Sequence, residues 1–271
     1  MKKFICYLTG GLGNRIIPLG SMKEYARMTG RKLFLYWPLD FRCGGRFSSL
    51  YSEDIPEVDE DFLFNLPKES TRVFCRFPDG ASNDLNIYGR KFLNSWGTIG
   101  GEPSLDDNTE NIVCCTNTFL SCIPREQSIE TLKGLQIKES ILEKAEKIAS
   151  TLKLDKSFLG IHMRGTDFNT NPNNYLAALN SVEEDLKEKV FVCSDDATFE
   201  QHIIDNYPHA VRRKDKVFMT KKTSGEAWTH NTNTTEESLL DALVDVILLS
   251  KTRLLIYNKA STFAEYANLL S

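Results

Sequence analysis

No stretch of this chain approaches the ~18 unbroken apolar residues of a membrane-spanning helix, and no basic stripe stands out among 33 Lys and Arg set against 37 Asp and Glu. The first absence argues against an integral membrane protein. The second, with a net charge of -4, argues against a nucleic-acid surface, which needs clustered positive charge. A signal peptide is not expected either: Met1 to Leu8 has two lysines and a short apolar run before the Thr9-Gly10-Gly11 turn, and reads as a first strand. Also missing are a Gly-x-Ser-x-Gly elbow and a Cys–His constellation, which disfavours a hydrolase with a covalent nucleophile. The seven cysteines, at 6, 43, 75, 114, 115, 122 and 193, are odd in number and scattered, four of them inside apolar runs. Buried free thiols in a reducing cytoplasm explain them better than a disulfide framework. None has zinc-ligand spacing with a nearby His, so no metal is expected.

What is present is a 271-residue chain with 41% hydrophobic and 26% charged residues, the balance of a soluble globular protein of one large or two ordinary domains. Its most informative stretch is Phe158-Leu159-Gly160-Ile161-His162-Met163-Arg164-Gly165-Thr166-Asp167. The apolar run reads as a buried strand, on which His162 and Arg164 share one face and Ile161 and Met163 the other. A guanidinium at the carboxyl end of a strand lies where open α/β sheets bind ligands, and Arg can grip a phosphate with two parallel hydrogen bonds. The plainer reading is an ion pair with Asp167.

Around this strand the pattern alternates. Helices are expected over 141–152, 175–187, 197–206, 236–250 and 262–270, and strands over 158–164, 190–193, 216–219 and 253–257. This βαβα array implies a doubly wound parallel sheet. Residues 1–37 read as strand, glycine turn, helix over 16–28 and strand, with Pro18 in the first helical turn. Between 38 and about 110 the pattern weakens into loops with one clear strand, 72–77; another follows at 111–115. A boundary near 134 separates domains 1–134 and 135–271.

Several further segments offer ligand contacts, each with a plainer alternative. Gly10-Gly11-Leu12-Gly13-Asn14-Arg15 joins a strand to a helix, and its glycines would let backbone N–H groups approach a ligand; it departs from dinucleotide and Walker spacings, and a tight turn with Arg15 in solvent accounts for it too. In Ser194-Asp195-Asp196 one aspartate would cap the next helix and the other accept from a ribose or base. Thr262 and Glu265 have the spacing of a capping box, and the helix start, with the Ser261 hydroxyl, would favour an anion. Asp241 and Asp245, one helical turn apart, read as a solvent face, and Asp59-Glu60-Asp61 as a solvated acidic loop.

In their order, Gly-Gly-Leu-Gly-Asn, His-x-Arg-x-x-Asp, Ser-Asp-Asp and Ser-Thr-Phe, spread over residues 10–263, resemble the motifs of the GDP-fucose-dependent fucosyltransferases, the superfamily of α1,2- and α1,6-fucosyltransferases, nodulation-factor enzymes and protein O-fucosyltransferases. The resemblance implies a GT-B fold: two Rossmann-like domains with parallel sheets facing across a cleft, the C-terminal one holding the nucleotide sugar and the N-terminal one the acceptor. It implies that His162 and Arg164 contact the nucleotide sugar, with Arg164 on the β-phosphate. Ser194 and Asp195 join that site. Asp245, sixteen residues before Ser261, takes the place of a guanine-binding aspartate. Ser261, Thr262 and Phe263 would hold phosphate and base, and Gly11, Gly13 and Asn14 would line the reacting-sugar side. Two departures stand out: many relatives carry a second Arg where this chain has Gly165, and Arg15 replaces the Gln usual in the α1,2 group.

The expected function is inverting, metal-independent transfer of L-fucose from GDP-fucose to a glycan hydroxyl, with Arg164 and Asn14 as catalytic candidates, GDP-fucose as donor and no cofactor. Asp40, Asp54 and Asp167 are the candidate general bases. Transfer from another GDP-sugar and an inactive nucleotide-sugar-binding relative are the alternatives. The expected setting is the cytoplasm, in glycan assembly, with peripheral membrane contact wherever acceptors are lipid-linked.

Overall fold

The computed structural model describes residues 1–40, 42–76, 90–165, 171–218 and 234–271. Asp167, Phe77 and Met219, all within segments read above, lie outside these residues. The chain divides into two compact units, Met1–Asp40 with Arg46–Gln136 and Phe41–Gly45 with Ile137–Ser271.

The first unit runs β1 (Lys3–Tyr7), α1 (Leu12–Met28), β2 (Lys32–Tyr36), α2 (Phe47–Leu50), β3 (Glu57–Val58), α3 (Glu60–Phe64), β4 (Thr71–Cys75), α4 (Arg90–Trp96), β5 (Ile99–Gly100), β6 (Asn111–Cys115) and α5 (Arg125–Lys133). Its strands form a parallel sheet in the order β3-β2-β1-β6-β4-β5. β1 and β6 are central, and their unbroken apolar runs are buried as a sheet covered on both faces requires. Helix α1 begins four residues before the expected start. Pro18 is therefore an interior residue, not a first-turn one, and its ring nitrogen cannot donate to the Asn14 carbonyl. The stretch 38–110 holds more regular structure than its composition suggests. Asp59, expected in a solvated loop, caps α3 by accepting from the Phe62 N–H at 2.9 Å.

The second unit runs α6 (Glu139–Leu152), β7 (Leu159–Met163), α7 (Pro172–Asn180), α8 (Glu184–Lys187), β8 (Val190–Ser194), α9 (Ala197–Asn206), β9 (Val211–Arg212), α10 (Glu236–Ser250), β10 (Leu254–Tyr257) and α11 (Thr262–Leu270). Its four strands are parallel, in the order β10-β7-β8-β9. Two expectations are corrected. The helix over 175–187 is two helices: at Ser181 the N–H donates to the Ala177 and Ala178 carbonyls and ends α7, since Asn and Ser compete locally for backbone groups. The strand expected over 216–219 is not formed by its described residues; β8 pairs instead with Val211–Arg212. The Val217 N–H turns to the Asp241 carboxylate at 3.4 Å in place of a strand ladder.

Packing of α1 on α5 depends on Gly20. A Cβ there would stand 2.4 Å from the Ser128 carbonyl oxygen and 3.0 Å from Leu132 Cβ. Helix propensity alone would reward Gly20→Ala by about 1 kcal/mol, but the collision is with backbone, which cannot swing away. Gly20→Ala is expected to lose about 1–3 kcal/mol, read by chemical denaturation; a gain in stability would refute the close approach.

Candidate functional site

The parallel register sets the site. Tyr257, His162 and Cys193 are aligned across β10, β7 and β8, and Met163 is aligned with Ser194. The next residues, Arg164 and Asp195, therefore leave the sheet side by side at the carboxyl ends of neighbouring strands. Asp195 Oδ1 accepts from the Gly165 N–H at 2.6 Å, tying the two strand ends together. A Cβ on Gly165 would lie 2.8 Å from Asp196 Cβ and 3.2 Å from the Phe199 ring. Position 165 is thus packed closely against the Asp196 and Phe199 side chains.

Ser194 is buried with every polar group committed. Its N–H donates to Glu200 Oε1 at 2.9 Å, its carbonyl accepts from Lys216, and its hydroxyl accepts from the Asp196 N–H at 3.1 Å. Asp196 caps α9 through the Thr198 N–H at 2.9 Å. The division of labour read from Ser194-Asp195-Asp196 is half visible: Asp196 is the cap, and Asp195 holds the neighbouring strand's amide.

His162 is 4% exposed, and its ring stacks on Phe263 with centroids 4.7 Å apart and 26° between planes. Among the described residues its buried Nδ1 has no hydrogen-bond partner. Burial first, then the charges of Lys216 and Arg164, lower its pKa to about 3, against a smaller opposing pull from Asp245. The imidazole is neutral throughout the physiological range. At α11 the cap is Ser261, which accepts from the Ala264 N–H at 3.3 Å; Thr262 is the first helical residue and not the cap, as its spacing from Glu265 had suggested. The amides of Thr262 and Phe263 belong to the first turn, whose N–H groups have no intrahelical partners.

Asp241 and Asp245 overturn the solvent-face reading: both are almost fully buried. Asp241 Oδ1 accepts from Arg213 at 2.6 Å and Lys144 at 2.7 Å. Asp245 Oδ1 lies 3.2 Å from Arg213, and its Oδ2 2.6 Å from Lys216. Burial works against the charged forms of Arg213 and Lys216, yet Asp245 and its neighbours outweigh it and raise both pKa values. These two cations, and Glu200 beneath Ser194, were not singled out as functional residues from the sequence. The available signal was the basic run Arg212-Arg213-Lys214, with Lys216, preceding an all-round apolar helix with two embedded aspartates.

Gly11, Gly13 and Asn14 lie in the first unit, at the carboxyl end of β1. Gly11 is the N-cap of α1, with open space where a Cβ would stand, and Gly13 is buried in the first turn. Gly10 has φ +84°, which favours glycine, and a Cβ there would come 2.7 Å from Asn14 Nδ2 and displace that side chain. Arg15 is fully buried rather than in solvent: it donates to the Gly10 carbonyl at 2.7 Å, the Pro38 carbonyl at 2.7 Å and Asp40 at 3.0 Å, beneath the Trp37 ring. Of the three candidate bases, Asp40 is therefore engaged with Arg15, and Asp54 is exposed.

Breaking the buried network should be costly. Asp245→Asn leaves Lys216 and Arg213 without their shared carboxylate, and a loss of about 3–5 kcal/mol is expected; a denaturation midpoint unchanged from the native chain would contradict the packing described.

No protein-family model matches the chain, and no curated protein matches it in sequence. Solved structures do match its fold. NodZ α1,6-fucosyltransferase co-crystallised with GDP aligns at TM-score 0.64 and 18% identity, over 100% of this chain and 93% of that one. A second NodZ structure, the selenomethionine protein from Bradyrhizobium, aligns at 0.61 and 18%, over 100% and 92%. POFUT1 in complex with GDP aligns at 0.57 and 15%, over 99% and 94%. Over essentially its whole length, then, this chain has the mixed α/β, parallel-sheet fold of these fucosyltransferases, the GT-B-like class that the motif order implies.

Proposed function

We propose that the protein transfers L-fucose from GDP-fucose to a glycan hydroxyl, inverting the anomeric centre without a metal. The observation that carries this reading is the gathering of His162, Arg164, Asp195, Ser261 and Phe263 at the carboxyl ends of three adjacent parallel strands. They belong to a fold shared with fucosyltransferases solved with GDP or GDP-fucose. In this reading the C-terminal domain binds the donor and the N-terminal domain, with Gly11, Gly13 and Asn14, faces the reacting sugar and acceptor.

Each residue then has a physical task. Negative charge grows on the departing β-phosphate as the glycosidic bond stretches, and Arg164 with the first-turn amides of α11 stabilises it, the setting in which preorganised dipoles are most effective. Neutral His162, held flat against Phe263, offers a hydrogen bond without adding charge. Ser261, Thr262 and Phe263 contact phosphate and base, while Ser194 acts by fixing the turn that presents Asp195. Asp245 would meet the guanine at the edge of its ion-paired cluster. The acceptor attacks the face opposite the leaving phosphate, so the product has inverted configuration. A cytoplasmic setting in glycan assembly, with peripheral membrane contact for lipid-linked acceptors, is part of the reading, and the seven free cysteines support it. Among the described residues no helix is long and apolar enough to cross a membrane.

The test is calorimetry in EDTA with GDP, UDP and ADP, followed by turnover of GDP-fucose with a glycan acceptor. Guanine-selective binding that persists in EDTA is expected, and Arg164→Ala should slow transfer on the order of a hundredfold. Binding indifferent to the base, or near-normal turnover by the variant, would overturn the assignment; NMR of the newly formed linkage reads the stereochemistry.

A further inference from the structure

Glu200 takes no part in the reaction proposed above, yet it is 1% exposed and sits directly under the strand end that bears Asp195. Its Oε1 accepts the Ser194 N–H at 2.9 Å and lies 3.7 Å from Lys216 Nζ. Lys216 in turn donates to the Ser194 carbonyl and pairs with Asp245 at 2.6 Å. The two backbone polar groups of one residue are therefore gripped by two side chains of opposite charge that are themselves neighbours. The next residue, Asp195, holds the amide adjoining Arg164. We propose that Lys216 and Glu200 form a positioning pair, setting the Ser194–Asp195–Asp196 turn and through it the Gly165 amide and Arg164, with the proton on Glu200 deciding how firmly the turn is held.

The groups facing Glu200 come from three other elements: Lys216 and Arg212 from β9 and the segment after it, Asp245 from α10, and Cys193 with the Ser194 amide from β8. Arg212 reaches Glu200 Oε2 only at 3.9 Å, and among the described residues that buried oxygen has no hydrogen-bond partner. Burial, the largest influence, together with Asp245, outweighs Lys216, the Ser194 N–H and Arg212, and raises the Glu200 pKa from 4.5 to about 7. The carboxylate is the better acceptor for the Ser194 N–H and the only form that attracts Lys216, so the turn is held most firmly above this pH and loosens below it. Global stability runs the other way. A carboxyl whose pKa rises on folding adds stability that is fully present below 4.5 and lost as the pH climbs through about 7.

The positioning is a property of the nucleotide-free chain; only its consequence for nucleotide binding rests on the GDP reading, and the experiment separates the two. Amide exchange at Ser194 and Gly165 is followed by NMR from pH 6 to 8.5, corrected for intrinsic rates, in the native chain and in Glu200→Gln, which keeps the shape and one acceptor. Native protection at Ser194 is expected to rise about tenfold across a midpoint near 7, with Gly165 following, and the Gln variant should show no such step. Thermal unfolding serves as a second readout, the native midpoint falling between pH 5 and 8 relative to the Gln variant. The same protection profile in both proteins, or a step at Ser194 that Gly165 does not share, would overturn the proposal. GDP titrations at both ends of the range then show whether affinity follows the turn; a native chain that binds no GDP defeats the function proposed above while the exchange result still decides the role of Glu200.

Discussion

Two carboxylates on one side of α10 are the constraint from which much of the second unit follows. Asp241 and Asp245 are one turn apart on a helix that is otherwise apolar nearly all round, and burying them without partners would cost far more than the fold could offset. The answer is the segment after β9, which gives up strand pairing after two residues and folds back so that Arg213 and Lys216 reach the helix. That detour brings Lys216 under the end of β8, where it holds the Ser194 carbonyl. Burial first, and then the charge of Lys216 with that of Arg164, depress the basicity of His162. Edge geometry and turn geometry thus share one electrostatic cause, which also adds to the burial that keeps His162 neutral.

The sequence made some of this legible and left the rest hidden for identifiable reasons. Helices 197–206, 236–250 and 262–270 are found where they were read, because periodicity and end signals agree there: Asp196 supplies a cap to the first and Ser261 to the last. The strand carrying His162 and Arg164 was readable because its apolar run is long enough to need burial on both faces. Asp241 and Asp245 were misread because spacing alone cannot tell a charged surface stripe from a charged buried one. The apolar residues on every side of them, Leu239, Leu243, Val244 and Val246 among them, carried the better signal. Nothing local announced that Arg15 would turn inward; besides the Gly10 carbonyl, its partners Pro38 and Asp40 come from the segment just after β2.

Short elements escaped for a different reason. β3, β5 and β9 are two residues long, and a two-residue strand has no period to detect. They exist because a neighbouring strand offers unpaired backbone groups, which is information held by the sheet and not by the segment. The weak pattern between 38 and 110 is of this kind, and so is the exchange of residues 41–45 into the second unit, where a Cβ on Gly44 would fall 1.9 Å from the Thr234 carbonyl. Backbone approach that close is specified by glycine, yet the sequence does not say which distant segment is approached.

Gly165 draws these strands of argument together. Against the fucosyltransferase motifs it looks like a deficit, a cation missing from a site that would meet a pyrophosphate. In the folded chain it is a fit: its amide is bound by Asp195, and the space a side chain would fill belongs to Asp196 and Phe199. Reinstating an arginine there would push apart the two strand ends that the amide bond joins, displacing Arg164 along with them. Among the described residues, the electrostatic load of the proposed reaction would then rest chiefly on the Arg164 guanidinium and the first-turn amides of α11. Arg164 can carry its share of that load only if it is held in place, because field strength at the phosphate depends on preorganisation as much as on charge. What the chain gives up in charge at position 165 it recovers as rigidity, through a glycine small enough to let Asp195 close the turn.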